Sequence, residues 1–125
     1  MAVLDASAIL AMLQSEPGAD RVASVLGTAV VGAVNYSEVL SKLADKGFSA
    51  EQRRAISDAL VCEIVGFDAA LAEQAADLRP ISRRAGLSFA DRACLALAIA
   101  RGEPAMTTDR AWAGLDLGIE IEVIR

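Results

Sequence analysis

Residues 29–34 read Ala-Val-Val-Gly-Ala-Val, a continuous apolar run without the alternation of a half-exposed strand. Such a run is expected of a strand covered on both faces, as in a parallel sheet. Four further strands are predicted at Val3–Leu4, Glu63–Phe67, Ala105–Thr107 and Ile119–Ile124. Helical patterns separate these segments. Strands that alternate with helices predict an α/β fold, in which helices cover both faces of one parallel sheet.

Local signals predict where the helices between these strands begin and end. Asn35 is predicted to cap a helix that runs to about residue 46, where Gly47 ends it. Ser49 and Gln52 have capping-box spacing and predict a helix to about residue 60. The other helices are predicted at 7–26 with a break at Pro17-Gly18, at 68–86 with a break at Pro80, and at 88–100.

Size and composition predict one globular domain over residues 1–125, long enough to bury a core. The formal net charge of −5 does not favour general attraction to nucleic acid, so a polyanionic partner would need metal ions or local basic patches. We expect Cys62 and Cys94 to be reduced core thiols, because both have apolar neighbours and no CxxC spacing. Without a signal-peptide pattern or a membrane-spanning stretch, the chain is expected to be cytoplasmic.

Four carboxylates occupy positions that matter in a parallel sheet. Asp5 and Asp109 each follow a predicted strand, and Glu38 and Asp91 lie near the starts of two apolar helices. In open parallel sheets, ligands bind beyond the carboxyl ends of the strands, where the strand order reverses. The chain contains no histidine, which excludes a histidine-based ribonuclease mechanism and a Cys–His nucleophile.

Each acid also has a structural explanation. Asp5 and Asp109 are suited to cap the helices that follow them, and Glu38 to be a solvated charge opposite an apolar stripe. Asp91 has capping-box spacing from Ser88, but its helix is apolar nearly all round. A buried carboxylate there needs a partner, and the adjacent Arg92 points about 100° away round the helix. A metal ion, or a cation from another molecule, would satisfy Asp91 better.

Taken together, the acids predict a site for Mg²⁺ or Mn²⁺, which prefer oxygen ligands. One or two such ions activate water and stabilise charge during displacement at phosphorus. The hydroxyls of Ser7, Thr107 and Thr108 are suited to support the ligands, although such groups commonly make local turn bonds. An aspartyl-phosphatase role for Asp5 is the weaker alternative, because that signature needs a second aspartate where Ser7 stands.

Four segments carry a resemblance to a known family, and together they extend over nearly the whole chain. They are Val3-Leu4-Asp5-Ala6-Ser7-Ala8, Asn35-Tyr36-Ser37-Glu38-Val39, Leu87 to Ala98 with Ser88-Phe89-Ala90-Asp91-Arg92, and Thr107-Thr108-Asp109-Arg110-Ala111-Trp112. In this order they resemble the PIN-domain ribonucleases, and among these the VapC toxins of bacterial toxin–antitoxin pairs. The resemblance implies a three-layer α/β/α sandwich with a parallel sheet of four to five strands, ordered 3-2-1-4-5.

The resemblance also implies an activity and a set of site residues. The activity is Mg²⁺- or Mn²⁺-dependent endonucleolytic cleavage of RNA by a homodimer. The implied catalytic and metal-binding residues are Asp5, Glu38, Asp91 and Asp109, with Ser7, Thr107 and Arg92 in support. With strands 1 and 4 adjacent, Asp5 and Asp109 meet at the switch point. Asp116 is expected to be an exposed loop carboxylate.

Partners are implied in the same way. The helical pair from Tyr36 to Leu60 is expected to offer a groove to a cognate VapB-like antitoxin, whose helix and basic residue would block the acids. The alternative is a PIN-like protein-binding module without catalysis. Among the basic residues we expect solvated helix faces at most positions, including Lys42, Lys46, Arg53 and Arg54. Arg92 and Arg110 are the stronger candidates to face RNA, because they neighbour the acids.

Overall fold

Five short parallel strands form the centre of the fold. The computed structural model describes residues 1–125. The strands are β1 (Val3–Leu4), β2 (Val30–Gly32), β3 (Glu63–Val65), β4 (Ala105–Thr107) and β5 (Ile121–Val123). Their order in the sheet is β3-β2-β1-β4-β5. The predicted α/β class and the order 3-2-1-4-5 are confirmed.

Seven α-helices connect and cover these strands. They are α1 (Ala6–Leu13), α2 (Ala19–Val25), α3 (Ala33–Asp45), α4 (Ala50–Ala59), α5 (Ala69–Asp77), α6 (Arg79–Ala85) and α7 (Phe89–Arg101). Short 3₁₀ turns lie at Leu26–Thr28 and Arg110–Trp112. No helix has both the length and the apolar composition required to span a bilayer.

Neighbouring residues of each central strand point to opposite faces of the sheet, and this alternation builds two cores. Val3, Val30 and Ala105 belong to one cluster, with side chains of α5 and α7. The next residue along each of these strands belongs to the other cluster, with side chains of α1 and α3: Leu4, Val31 and Met106. The predicted three-layer α/β/α arrangement follows from these two packed faces.

Helix α7 is the most buried helix, as its apolar sequence predicted. Its residues 93–98 are all buried, and they include Cys94. Burial raises the pKa of the Cys94 thiol well above its ordinary value. Both cysteines are free, and Cys62 is half-buried against the second core. The prediction of unpaired cysteines is confirmed, whereas the predicted core position is found for Cys94 and only partly for Cys62.

The predicted start of α3 is wrong. The helix begins at Ala33, directly after Gly32, rather than after Asn35. Ala33 and Val34 are apolar residues that suit a buried helix as well as a buried strand, so the run 29–34 could not mark the boundary. Asn35 does not cap the helix: its side chain is fully buried, and Nδ2 donates a 3.0 Å hydrogen bond to the carbonyl of Ala90 on α7.

The edge strands are shorter than predicted, because each pairs with a neighbour of only three residues. β3 ends at Val65 rather than Phe67, since its partner β2 ends at Gly32. β5 covers Ile121–Val123 rather than 119–124. Most cap predictions are confirmed. Capping boxes form at Ser49 with Gln52 and at Ser88 with Asp91, and Asp68 caps α5.

Candidate functional site

All four predicted acids line one pocket of about 370 Å³ at the carboxyl ends of the central strands. Asp5 follows β1 and Asp109 lies two residues after β4. Glu38 extends from α3 and Asp91 from the first turn of α7. The site therefore depends on the pairing of β1 with β4. These strands are hydrogen-bonded neighbours although about a hundred residues separate them in sequence.

Asp5 is the most buried of the four acids, with 4% of its surface exposed. Its Oδ2 atom accepts hydrogen bonds from Ser7 Oγ at 2.7 Å and from Thr107 Oγ1 at 3.0 Å. Although Asp5 occupies the position before α1, its side chain makes no capping bond. Burial raises the pKa of Asp5, and the two hydroxyl bonds oppose that rise. The capping alternative for Asp5 is therefore not realised.

Two hydroxyl groups connect the ends of β1 and β4 beneath the pocket. Ser7 Oγ and Thr107 Oγ1 lie 3.2 Å apart. Each also accepts a hydrogen bond from a backbone amide, Ser7 from Thr108 and Thr107 from Asp109, both at 3.0 Å. This network fixes the orientation of the Asp5 carboxylate. Its geometry supports the predicted role of Ser7 and Thr107 beside the acids.

Asp91 and Asp109 cap local structure and line the pocket at the same time. Asp91 Oδ2 accepts a 2.9 Å bond from the Ser88 amide, and Asp109 Oδ1 accepts a 2.9 Å bond from the Ala111 amide. In each residue the other carboxylate oxygen accepts no such bond. The capping and pocket alternatives are therefore compatible, because one oxygen serves each purpose.

Asp91 depends less on a cationic partner than its apolar helix predicts. Asp91 is half-buried rather than fully buried, and the capping box satisfies one of its oxygens. Partial burial still raises the pKa of Asp91, and the charge of Asp109 adds to that rise. Hydrogen bonds from Ser88 act in the opposite direction.

The pKa of Glu38 depends on burial and on the other charged groups of the pocket. It is half-buried and makes no hydrogen bond through its side chain. Burial raises the pKa of Glu38, and repulsion from Asp5 and Asp91 adds to that rise, while Lys42 lowers the pKa. The carboxylates are therefore close enough to disfavour one another's charge. A cation in the pocket would relieve this repulsion.

The structure does not bring Arg92 into the pocket. Its Nη1 atom donates a 3.1 Å hydrogen bond to the carbonyl of Ala75 on α5, and its guanidinium carbon lies 5.6 Å from the centre of the Phe89 ring. Arg92 thus joins α7 to α5. The prediction that it lies beside the acids and supports them is wrong, because its side chain does not line the pocket. Arg110 and Asp116 are exposed and do not line the pocket.

Four other charged residues also line the pocket, and the sequence did not predict their placement there. They are Glu16 and Arg125, which form an ion pair at 3.3 Å, and the lysines at positions 42 and 46. The lysines follow Glu38 at intervals of four residues, a spacing that keeps them on one side of a helix. That spacing was a usable signal, whereas the approach of Arg125 depends on tertiary structure.

The donor chemistry of the pocket fits a hydrated divalent ion. Its acidic groups are all carboxylates, the ligands that Mg²⁺ and Mn²⁺ prefer, and Mg²⁺ keeps several of its waters when bound. The four acids surround a common space, but no three of them converge as a complete ligand cluster in this structure. The residues present therefore fit an ion that is contacted partly through water.

Comparisons with known proteins agree with this geometry. Three similar solved structures each cover 97% of this chain. They are DNA-bound VapBC from Salmonella typhimurium (TM-score 0.74, 20% identity, 96% of that chain covered), VapBC2 from Rickettsia felis bound to a promoter DNA fragment (0.75, 16%, 96%), and a toxin–antitoxin complex from Klebsiella pneumoniae (0.72, 16%, 100%). At these identities the likeness shows the fold.

The family assignment comes from the sequence itself. No curated protein matches this sequence. The model of the PIN domain family matches residues 2–116, which include the four pocket acids and all strands except β5. The chain therefore belongs to the PIN domain family, a family of nucleases.

Proposed function

We propose that this protein is a metal-dependent endoribonuclease and the toxin of a toxin–antitoxin pair. The observation that carries the proposal is the meeting of four carboxylates from four separate elements in one pocket. Three of them have raised pKa values, chiefly because they are partly or fully buried and also because they repel one another, so the fold keeps these carboxyl groups together at a cost. Groups held in this unfavourable way are typical of functional sites. Membership of a nuclease family adds support.

Asp5, Glu38, Asp91 and Asp109 would hold Mg²⁺ or Mn²⁺. When bound, such an ion makes water a better nucleophile and offsets negative charge at phosphorus. Ser7 and Thr107 donate to Asp5 Oδ2, and these bonds keep the carboxylate in one orientation. The capping bonds to Asp91 and Asp109 restrict those side chains in the same way. The fold thereby prepares oxygen ligands before an ion or substrate arrives.

The hydrogen bonds of the acids indicate how the protein's own groups handle protons. Glu38 is half-exposed and its side chain makes no hydrogen bond, so an oxygen of Glu38 that does not contact the ion is the one best placed to accept a proton from attacking water. Asp5 is held by two hydroxyls and is better suited to remain a fixed ligand.

A second concave surface supports an antitoxin partner. Residues of α3 and α4 line a groove of about 250 Å³, namely Tyr36, Leu40, Ala50, Arg53, Arg54 and Ser57. It lies within the helical pair from Tyr36 to Leu60, where the family resemblance implies a groove for an antitoxin. Two solved structures of the same fold are described as belonging to toxin–antitoxin systems, and one of these is described as a toxin–antitoxin complex. We propose that a VapB-like antitoxin helix binds this groove, that the chain forms a homodimer, and that it acts in the cytoplasm.

The competing proposal is a PIN-like binding module without catalysis. Manganese titration by calorimetry separates the two, because a protein-binding module has no need of an ion at the acids. The enzyme proposal predicts Mn²⁺ binding that is lost in Asp91→Asn and retained in Asp116→Asn, which neutralises an exposed acid outside the pocket. It also predicts RNA cleavage that EDTA stops and Mg²⁺ restores. A parent protein that neither binds Mn²⁺ nor cleaves RNA would favour the binding module.

A further inference from the structure

The chain has only two lysines, Lys42 and Lys46, and both line the acidic pocket. The other ten basic residues are arginines, and of these only Arg125 reaches the same pocket. The net charge of the chain is −5 and five acidic side chains line the pocket, so a general excess of basic residues does not account for the placement of both lysines there. We propose that Lys42 and Lys46 are substrate-positioning residues that contact phosphates of the RNA next to the scissile bond. This inference rests on the proposed nuclease function.

The helix geometry places the lysines in a line that leads away from the acids. Glu38, Lys42 and Lys46 are four residues apart, which keeps them on one side of α3 and its C-terminal cap. Four residues of α-helix rise about 6 Å, so Lys46 lies about 12 Å along the axis from Glu38. The line therefore begins at a carboxylate of the proposed metal site and ends at the rim of the pocket.

Both ammonium groups are free to meet a phosphate. The lysine side chains are exposed, and neither forms an ion pair within 4.0 Å. Arg125 differs, because it is paired with Glu16 at 3.3 Å. Lys42 acts electrostatically on Glu38 and lowers the pKa of that carboxyl, which places its charge close to the acids. An ammonium group is a compact cation that binds phosphate as a point charge.

The two lysines offset the repulsion between the pocket acids and the phosphates of a bound RNA. Its acids attract a metal ion but repel the phosphates on either side of the reacting one. An ion at the acids offsets charge only locally. The lysines on α3 supply positive charge for the next phosphates along the strand, and they hold the strand in one direction across the pocket. Phosphate contacts of this kind position a nucleic acid without reading its sequence.

A purely structural role for the lysines predicts different behaviour. Lys42 lies in the last turn of α3 and Lys46 directly after it, where positive charge also suits the helix dipole. Lys42 could equally act only to neutralise Glu38. In the first case, replacing a lysine lowers stability and leaves kinetics unchanged. In the second case, the pH profile of kcat changes while KM does not.

Steady-state cleavage of an RNA that the parent protein cuts tests the inference. At fixed Mg²⁺, Lys42→Gln and Lys46→Gln are each expected to raise KM with little change in kcat. The slope of log kcat/KM against log salt is expected to become shallower by about 0.7 for each variant and about 1.4 for the double variant, one single-strand phosphate each. Arg101→Gln is the matched control. It removes one charge at the far end of α7, where Arg101 pairs with Glu63.

A direct readout uses the scarcity of lysine. Methylation with ¹³C-formaldehyde labels only these two side chains and the Met1 amine. Addition of RNA to the Asp5→Asn variant is expected to shift both lysine signals and leave the Met1 signal unchanged. If the lysine variants keep the parent's KM and salt slope, the inference is overturned while the nuclease proposal stands. If the parent shows no metal-dependent cleavage, the proposed function itself fails.

Discussion

Thr107 Oγ1 donates a 3.0 Å hydrogen bond to Asp5 Oδ2, and this bond joins the end of β4 to the residue that follows β1. Both residues are buried, and they are 102 positions apart in sequence. The same Thr107 oxygen accepts the amide of Asp109 at 3.0 Å. One side chain thus sets the position of two pocket acids relative to each other.

Thr107→Val is expected to weaken the site while nearly preserving side-chain shape. Asp5 loses one of its two hydroxyl donors, so its carboxylate is less well stabilised and its pKa rises further. Loss of a hydrogen bond to a buried polar group costs about 1–3 kcal/mol of folding stability. Urea denaturation and RNA cleavage both measure the effect. Thr107→Ser retains the hydroxyl and is expected to behave like the parent; equal damage in the two variants would contradict this role.

The acid pocket is expected to make the protein less stable as the pH rises. Burial raises the pKa of Asp5 above its ordinary value of 3.8, so the folded state holds this proton more tightly than the unfolded state. The stability that the Asp5 carboxyl contributes is therefore greatest below pH 3.8, and it is lost as the pH rises through the pKa of Asp5 in the folded state. Asp5→Asn has no proton to lose. Denaturation across a pH series should show a flatter decline in Asp5→Asn than in the parent, and an unchanged decline would refute the argument.

The two capping boxes provide a matched pair of variants. Ser88→Ala and Ser49→Ala each remove an N-cap hydroxyl, which costs about 1 kcal/mol. Only at Ser88 does the hydroxyl hold the backbone of a pocket acid, since it accepts a 3.1 Å hydrogen bond from the Asp91 amide. The Ser88 amide, which donates to Asp91 Oδ2, is retained in Ser88→Ala, so this variant loosens Asp91 through its backbone. We therefore expect similar losses of stability from both variants, but weaker Mn²⁺ binding from Ser88→Ala alone. Calorimetry that finds the same Mn²⁺ affinity in both variants would show that the cap does not position Asp91.

The sequence was most informative for the strands that are covered on both faces of the sheet. The bounds of β1 and β4 were predicted as observed, because their short apolar segments are followed by acids and helix signals. The acids after these strands could then be assigned to one edge of the sheet. The start of α3 could not be predicted, because Gly32 precedes the helix and has no side chain to cap it. The side-chain amide of Asn35 instead donates to the carbonyl of Ala90.

The direction of long side chains was the other limit. Arg92 is adjacent to Asp91 in sequence, yet it bonds to Ala75 and packs over Phe89. Its partners come from a neighbouring helix, and no local pattern specifies them. Sequence spacing predicts a solvated face for Lys42 and Lys46, yet the acids of other elements form a pocket beside them. Local sequence fixes which side of a helix a residue occupies, but packing decides what it meets there.

The proposed antitoxin groove can be tested without disturbing the acids. Ala50 is exposed and lines the groove between α3 and α4. Ala50→Trp is expected to fill the groove and weaken binding of the cognate antitoxin at least tenfold, while RNA cleavage by the free protein is retained. Ala55→Trp places the same bulk on an exposed position of α4 outside the groove. Calorimetric titration with the antitoxin should find parent-like affinity for Ala55→Trp, and equal effects of both variants would place the antitoxin elsewhere.

The central claim is that the four-acid pocket cleaves RNA with the help of a divalent ion. The most direct test is the rate of Mg²⁺-dependent RNA cleavage by Asp5→Asn and Asp91→Asn, compared with Asp116→Asn, whose side chain is exposed and outside the pocket. Circular dichroism checks that each variant is folded. The account predicts that both pocket variants lose cleavage by at least a hundredfold, while Asp116→Asn cuts like the parent. Folded pocket variants that cut RNA at the parent rate would contradict it.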